Sequence, residues 1–236
     1  MLVRNQKTLN LGALLGFSFI GVLFLIFSPV FGGKNGLEYS DDLFNKLAKG
    51  SSYFIPEIAE SVQEFNGKNI SVTFKMDKPE AAQEAAKMLL AGGVQVGADG
   101  SELKVSGDLG KLLGTVLKDS DAMYKNDGAG LSALYKVDGM DVMSIWWKVL
   151  NRTARELQKQ KKVEEANIAI EVMRKGIEPA YNFYGIEAQS VTDKAGILIT
   201  LLVFYVVYTM WWGYSIFYLF DGLGLTMKKA KIKKEV

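Results

Sequence analysis

Histidine and cysteine are absent from the 236-residue chain, and proline occurs only four times. The first two absences remove the side chains that most often act as general bases, thiolate nucleophiles and transition-metal ligands. Haem, iron–sulfur, copper and zinc centres held by this chain are therefore not expected. Zero cysteine fits an oxidising compartment without requiring one, since a domain of this size can stand on an apolar core without disulfide staples. Strong charge of one sign is lacking too: 28 Lys+Arg against 26 Asp+Glu leave a formal +2, which gives no basis for nucleic-acid binding.

What the chain does have is a segregation of apolar residues toward both ends, which excludes a purely soluble globule. Leu11 to Phe31 is uncharged and 21 residues long. As a helix it would measure about 32 Å, against a hydrocarbon core of about 30 Å. It is longer than a signal-peptide core, and no good small-x-small cleavage site follows, so it is expected to stay as a signal anchor. The second run, Ala195 to Phe220, is 26 residues and about 39 Å of helix, enough to cross with tilt or with one end emerging. Arg4 and Lys7 precede the first run, and Lys228, Lys229, Lys231, Lys233 and Lys234 follow the second. The positive-inside rule places both ends in the cytoplasm, so residues 34–194 are expected on the far side of an inner (plasma) membrane, periplasmic or extracellular. That middle region holds 21 cations against 24 acids, a mildly acidic balance. The lysine tail would also suit anionic lipid, although a plain topology determinant explains it as well.

The expected organisation is a cytoplasmic N-tail (1–10), a first span (11–31), a helical lead-in (32–67), an α+β core (68–138), a long helix with a juxtamembrane segment (139–194), a second span (195–220) and a basic cytoplasmic tail (221–236). In the lead-in, Leu43, Phe44 and Leu47, then Ile55, Ile58, Val62 and Phe65, recur at helical intervals, and Asn66-Gly67 offers a left-handed stop. The period then changes. Ile70, Val72, Phe74 and Met76 alternate with polar residues as a half-buried strand. Asp77 is placed to cap a helix carrying Ala81, Ala82, Ala85, Met88 and Leu89, which Gly92-Gly93 ends. Val94, Val96 and Ala98 resume the alternation, Asp99-Gly100 turns the chain, and Leu103 and Val105 return. Asp108 caps a further helix through Met123, and Leu131 to Val137 alternates again. The order β-α-β-β-α-β is that of the ferredoxin-like fold, which hosts many unrelated functions. From Asp141 to Lys175 there is neither Gly nor Pro, and two stripes, Ile145 to Leu157 and Ala166 to Ile177, suit either a hairpin or, preferentially, one helix of about 50 Å.

No catalytic, cofactor-binding or metal-binding residue is singled out. Asp119, Asp121 and Asp127 suggest a calcium loop, but Met123 falls where a ligand is needed, and a solvated helix end is the simpler reading. Gly92, Gly93 and Gly97, and Gly107, Gly110 and Gly114, fit no phosphate-binding spacing. Two glycosylation sequons, at Asn69 and Asn151, are within chance expectation. Glu164, Glu165, Glu171, Glu178 and Glu187 form no distinguished pair for acid–base work. Catalysis is not expected.

The residues that point outward from the chain are of another kind. Trp146 and Trp147 are neighbours on a helix and diverge by about 100°, so one suits the core and the other a partner contact. Gly12 and Gly16 form a G-x-x-x-G motif that lets another helix approach closely. The second span carries nine aromatics, of which Tyr205 and Tyr208 lie deep enough to need hydroxyl partners on another helix or on a bound quinone or lipid head. These six residues are the candidate partner-binding set.

Together these features predict a non-catalytic accessory or scaffold subunit of a larger inner-membrane complex, with other integral membrane subunits and the bilayer as partners, and neither cofactor nor nucleic acid. Two spans near the ends, both tails cytoplasmic, an α/β base and a long helix also resemble the bacterial polysaccharide chain-length regulators. That resemblance implies a self-assembling exported ring; the Pro-rich segment those proteins carry near their second span has no counterpart, because Pro179 is the last proline. A ligand sensor is a third class, and with such short tails it would have to signal through a partner's helices.

Overall fold

The computed structural model describes residues 3–225, so the lysines at 228–234, and with them most of the expected basic tail, lie outside the described residues. The chain is a mixed α+β protein, mostly helical with one small sheet. It divides into two compact units, one formed by residues up to Phe44 and from Ser190 onward, the other by Asn45–Gln189.

The first unit is an antiparallel pair of apolar helices, α1 (Gln6–Phe27) and α10 (Ala195–Gly222), each long and apolar enough to cross a membrane. They are consistent with a two-pass membrane protein. The helix α1 does not coincide with the apolar run at 11–31. It begins early because Asn5 Oδ1 accepts from the amides of Lys7 and Thr8, satisfying donors at the helix start. It ends at Phe27 because Ser28 precedes Pro29 and takes the extended backbone that a following proline demands. The amides of Arg4 and Asn5 both donate to the Gly222 carbonyl, which ties the start of α1 to the end of α10. Next, α2 (Gly36–Ser51) opens on Asn35, whose Oδ1 accepts from Leu37 and Glu38 while Glu38 Oε2 accepts from the Asn35 amide, a reciprocal capping pair.

The second unit contains α3 (Ile55–Gln63), then β1 (Asn69–Lys75), α4 (Pro79–Ala91), β2 (Gln95–Asp99), β3 (Glu102–Asp108) and α5 (Leu109–Tyr124). The strands pair antiparallel in the order β1-β3-β2, with Val72 opposite Val105 and Val96 opposite Val105 on its other side. The return strand thus sits between the two strands that α4 connects, which is the split β-α-β arrangement. Alternation on β1 is strict, with Ile70, Val72 and Phe74 buried in the apolar core of this unit. Asp108 caps α5 through Lys111 N and also accepts from the Gly67 amide.

Three expectations are corrected here. Asp77 does not cap α4, whose first residue is Pro79 after an extended Lys78; its carboxylate instead pairs with Arg152 at 2.6 Å and Lys148 at 3.5 Å. The fourth strand does not form. Residues of that segment build α6 (Gly128–Tyr135), capped by Asp127 Oδ1 on the Gly130 amide. Leu131 and Tyr135 are the buried pair, and a spacing of four satisfies a helix and a strand equally; what decides for helix is the cap, together with an exposed Ala133 that alternation would have buried. Within these described residues the sheet has three strands, and the β-α-β-β-α order ends there. Finally, 141–175 is not one helix. The helix α7 (Gly139–Lys159) ends in a turn, with Lys161 left-handed at φ 62°, and α8 (Val163–Val172) folds back on it.

A five-residue π turn, Met173–Ile177, follows α8 and leads into α9 (Glu178–Asn182). In a regular α-helix the Pro179 ring would collide with the Lys175 carbonyl four residues back, and widening the turn relieves that clash. The chain then returns beside its own start: the Gln189 amide donates to the Lys46 carbonyl at 3.0 Å, and the Gln189 backbone leaves no room for a side chain at Gly50. Lys49 is buried at this pinch, with Nζ donating to Asn126 Oδ1 (2.9 Å) and to the carbonyls of Phe183 (3.1 Å) and Ile186 (2.6 Å). Burial holds the Lys49 ammonium below its usual pKa. The Tyr124 hydroxyl donates to the Lys49 carbonyl.

Candidate partner-binding site

In the helical hairpin, close approach is set by small residues. A Cβ at Gly12 would lie 2.6 Å from the Leu219 main-chain nitrogen, and one at Gly16 would lie 3.0 Å from Ser215 Oγ. The helix α10 answers with three donors at successive levels: Ser215 Oγ to the Gly12 carbonyl (2.9 Å), Trp211 Nε1 to Leu15 (3.1 Å) and the Tyr208 hydroxyl to Phe19 (3.2 Å). Helical carbonyls keep a second lone pair free, so they can accept these without giving up the helix ladder. Tyr208 also stacks on Phe19, with ring centroids 4.1 Å apart. Gly12 and Gly16 on α1 are therefore engaged by α10, and Tyr208 on α10 by α1. Trp211 and Ser215 belong with them, and only the facing of Ser215 by a G-x-x-x-G surface could have marked it in the sequence.

Tyr205 differs from these. Its side chain is 65% exposed, and among the described residues its hydroxyl has no hydrogen-bond partner. It is the eleventh residue of α10, about 15 Å from the helix start. Trp212, seven residues on and so on the same stripe, is also exposed, with no acceptor for its indole N–H among the described residues. Beside it runs an apolar groove of about 250 Å³ along α1, formed by Ala13, Gly16, Phe17 and Ile20 and closed by Trp212 and Leu219.

In the second unit the tryptophan pair divides. Trp146 is fully buried, and its Nε1 donates to Asp119 Oδ2 at 2.8 Å; the Tyr135 hydroxyl donates to the same oxygen at 2.7 Å. One carboxylate oxygen thus joins α5, α6 and α7. Burial raises the Asp119 pKa against the opposing pull of its two donors, and raises that of Tyr135 as well. Trp147 is 38% exposed, and its Nε1 donates to Glu178 Oε1 at 3.1 Å. Rather than projecting, the ring walls a hollow of about 230 Å³ between α7 and the π turn with α9.

The aspartates 119, 121 and 127 serve three separate ends: Asp119 the buried junction, Asp121 a 2.6 Å pair with Lys125 and an acceptor for the Tyr53 hydroxyl, Asp127 the α6 cap. Asp119 is thus not part of a solvated helix end, because the bulk of Tyr135 and Trp146 covers it. No family model, no curated protein and no solved structure matches this chain. Function has to be read from its own surfaces.

Proposed function

We propose that the chain is a non-catalytic accessory subunit of a larger inner-membrane complex, held to partner subunits through its two spans and bracing them with the domain formed by residues 45–189. In this reading both termini are cytoplasmic and residues 34–194 lie on the far side of the membrane, periplasmic or extracellular. The supporting observation is the Tyr205 hydroxyl, exposed deep in a span with no acceptor among the described residues, on the same stripe as the free Trp212 indole. In hydrocarbon an unpaired hydroxyl costs several kcal/mol, about 4–8 kcal/mol on a water-to-cyclohexane scale, which a partner helix offering a carbonyl or polar side chain offsets. The neighbouring groove, with Ala13 and Gly16 as its floor, has the small residues that allow a helix to approach. Because Gly12 and Gly16 face α10 and Tyr208 faces α1, the partner surface of this reading centres on Tyr205 and Trp212. The likeness to chain-length regulators loses its long helix, since α7 and α8 form a hairpin.

Purification in mild detergent tests this. Different subunits retained at fixed stoichiometry, and lost with Tyr205→Phe combined with Trp212→Phe, support the accessory role. A homo-oligomer alone, or a monomer, refutes it. A reporter fused at Leu103 should be active on the opposite side from one fused after Val236; equal location of the two would remove the topology on which the reading stands.

A further inference from the structure

The hollow beside Trp147 has a composition that selects a ligand. Its floor is apolar, from Met143 and Ile177, both buried; its walls are the partly exposed rings of Trp147 and Tyr181; and its single charged group is the Glu178 carboxylate, with Asn182 at the rim. None of the lining residues is a lysine or arginine. Among the described residues Glu178 has no ion pair, while the nearby Lys175 is taken up by Glu57 and Glu171, and Lys148 by Asp77. The one partner of Glu178 is the neutral indole N–H of Trp147 at 3.1 Å. Donation to a carboxylate polarises the indole and leaves its face more electron-rich. A carboxylate without a counter-ion, at the edge of one aromatic ring in a hollow that a second also lines, over an apolar floor, complements a cation that carries carbon around its charge.

The shape has a structural cause as well. The π turn at Met173–Ile177 inserts an extra residue ahead of Glu178, which rotates α9 relative to α8 and brings Glu178 and Tyr181 to the α7 side, where Trp147 waits. Single π turns of this kind are frequent at functional sites.

We infer that this hollow is a binding site for a small organic cation, an alkylammonium or trimethylammonium compound of no more than about 230 Å³. Trp147 and Tyr181 supply the faces that receive the substituted ammonium, and Glu178 supplies the charge. With no lysine or arginine to hold a phosphate, the site favours a free amine over a zwitterionic lipid headgroup. The inference is independent of whether the chain joins a larger complex, because the site lies within residues 143–182 of one unit.

The test uses the full chain in a maltoside detergent, with 5-fluorotryptophan incorporated at the four tryptophan positions and Trp147 assigned by its loss in Trp147→Phe. Choline chloride, at ionic strength matched with sodium chloride, should shift the Trp147 fluorine resonance saturably. Its neutral isostere 3,3-dimethylbutan-1-ol should bind at least tenfold more weakly. Phosphocholine should bind no more tightly than choline, and Glu178→Gln, which itself moves the unliganded Trp147 signal by changing its hydrogen-bond acceptor, should weaken choline at least tenfold in the titration that starts from that new position. Equal response to choline and the isostere, or none to choline, overturns the inference on the unmodified protein alone. Tighter binding of phosphocholine overturns the assignment to a free amine.

Discussion

Asp119 sets the stability of the 45–189 unit more than any exposed ion pair does. Removing it by Asp119→Ala leaves the Tyr135 hydroxyl and the Trp146 indole buried without an acceptor, at about 1–3 kcal/mol for each orphaned donor. A loss of about 2–5 kcal/mol is expected, visible as a fall of several degrees in the thermal midpoint of the solubilised chain. The exposed Lys125–Asp121 pair, by contrast, is screened by solvent and should contribute little. The pH response of Asp119 has a defined sign. Its carboxyl is raised in the folded state by burial, so the native protein binds this proton more readily than the unfolded chain. The group's contribution to stability therefore grows as pH falls from the raised native value toward the unfolded value of about 3.9. Asp119→Asn lacks that response. On acidification from neutral pH, the difference in midpoint between the wild type and Asp119→Asn should move in favour of the wild type; movement the other way would contradict the raised carboxyl.

At the scale of elements, the hairpin of α1 and α10 has two contacts that no side chain can enter, Gly12 against Leu219 and Gly222 against Leu9, and the first lies within the apolar stretch of both helices. Gly12→Leu forces the helices apart at the Ser215 and Leu219 level, whereas Gly16→Ala meets only the Ser215 hydroxyl and is milder. Because the native chain has no cysteine, a pair of introduced cysteines, one in each helix, reports the separation cleanly. Disulfide yield should drop sharply for Gly12→Leu and little for Gly16→Ala, and equal yields would show that the glycine contact is not what holds the helices together. The same elements show where sequence patterns sufficed. The strands β1 to β3 were legible because alternation over β1 had no helical counterpart, and the buried stripe of α7 because its spacing admitted no strand. The segment 128–135 is ambiguous because Leu131 and Tyr135 are four apart, an interval common to both periods, and because Asp127 stands out in the sequence only as a possible calcium ligand and not as a helix cap. The turn at 160–162 was hidden for another reason. It uses Lys161 in a left-handed conformation, with no glycine to announce it. The Glu178–Trp147 contact links residues 31 apart through a π turn, and nothing in local spacing encodes that.

At the scale of the whole molecule, the path of the chain matters most. The polypeptide passes into the 45–189 unit and leaves it at adjacent points, since the Gln189 amide meets the Lys46 carbonyl and the buried Lys49 ammonium grips the carbonyls of Phe183 and Ile186. A segment whose two ends are already joined behaves as a removable cassette. Excising residues 45–189 and bridging the cut with a short Gly-Ser linker should leave a two-helix protein that still inserts, and the excised segment, transplanted into a surface loop of an unrelated soluble host, should fold there. Failure of the graft to give cooperative unfolding would mean that the cassette needs its original surroundings. Evolution can exploit the same geometry, because a module whose entry and exit are fastened to each other can be exchanged for another without changing the chain on either side of it.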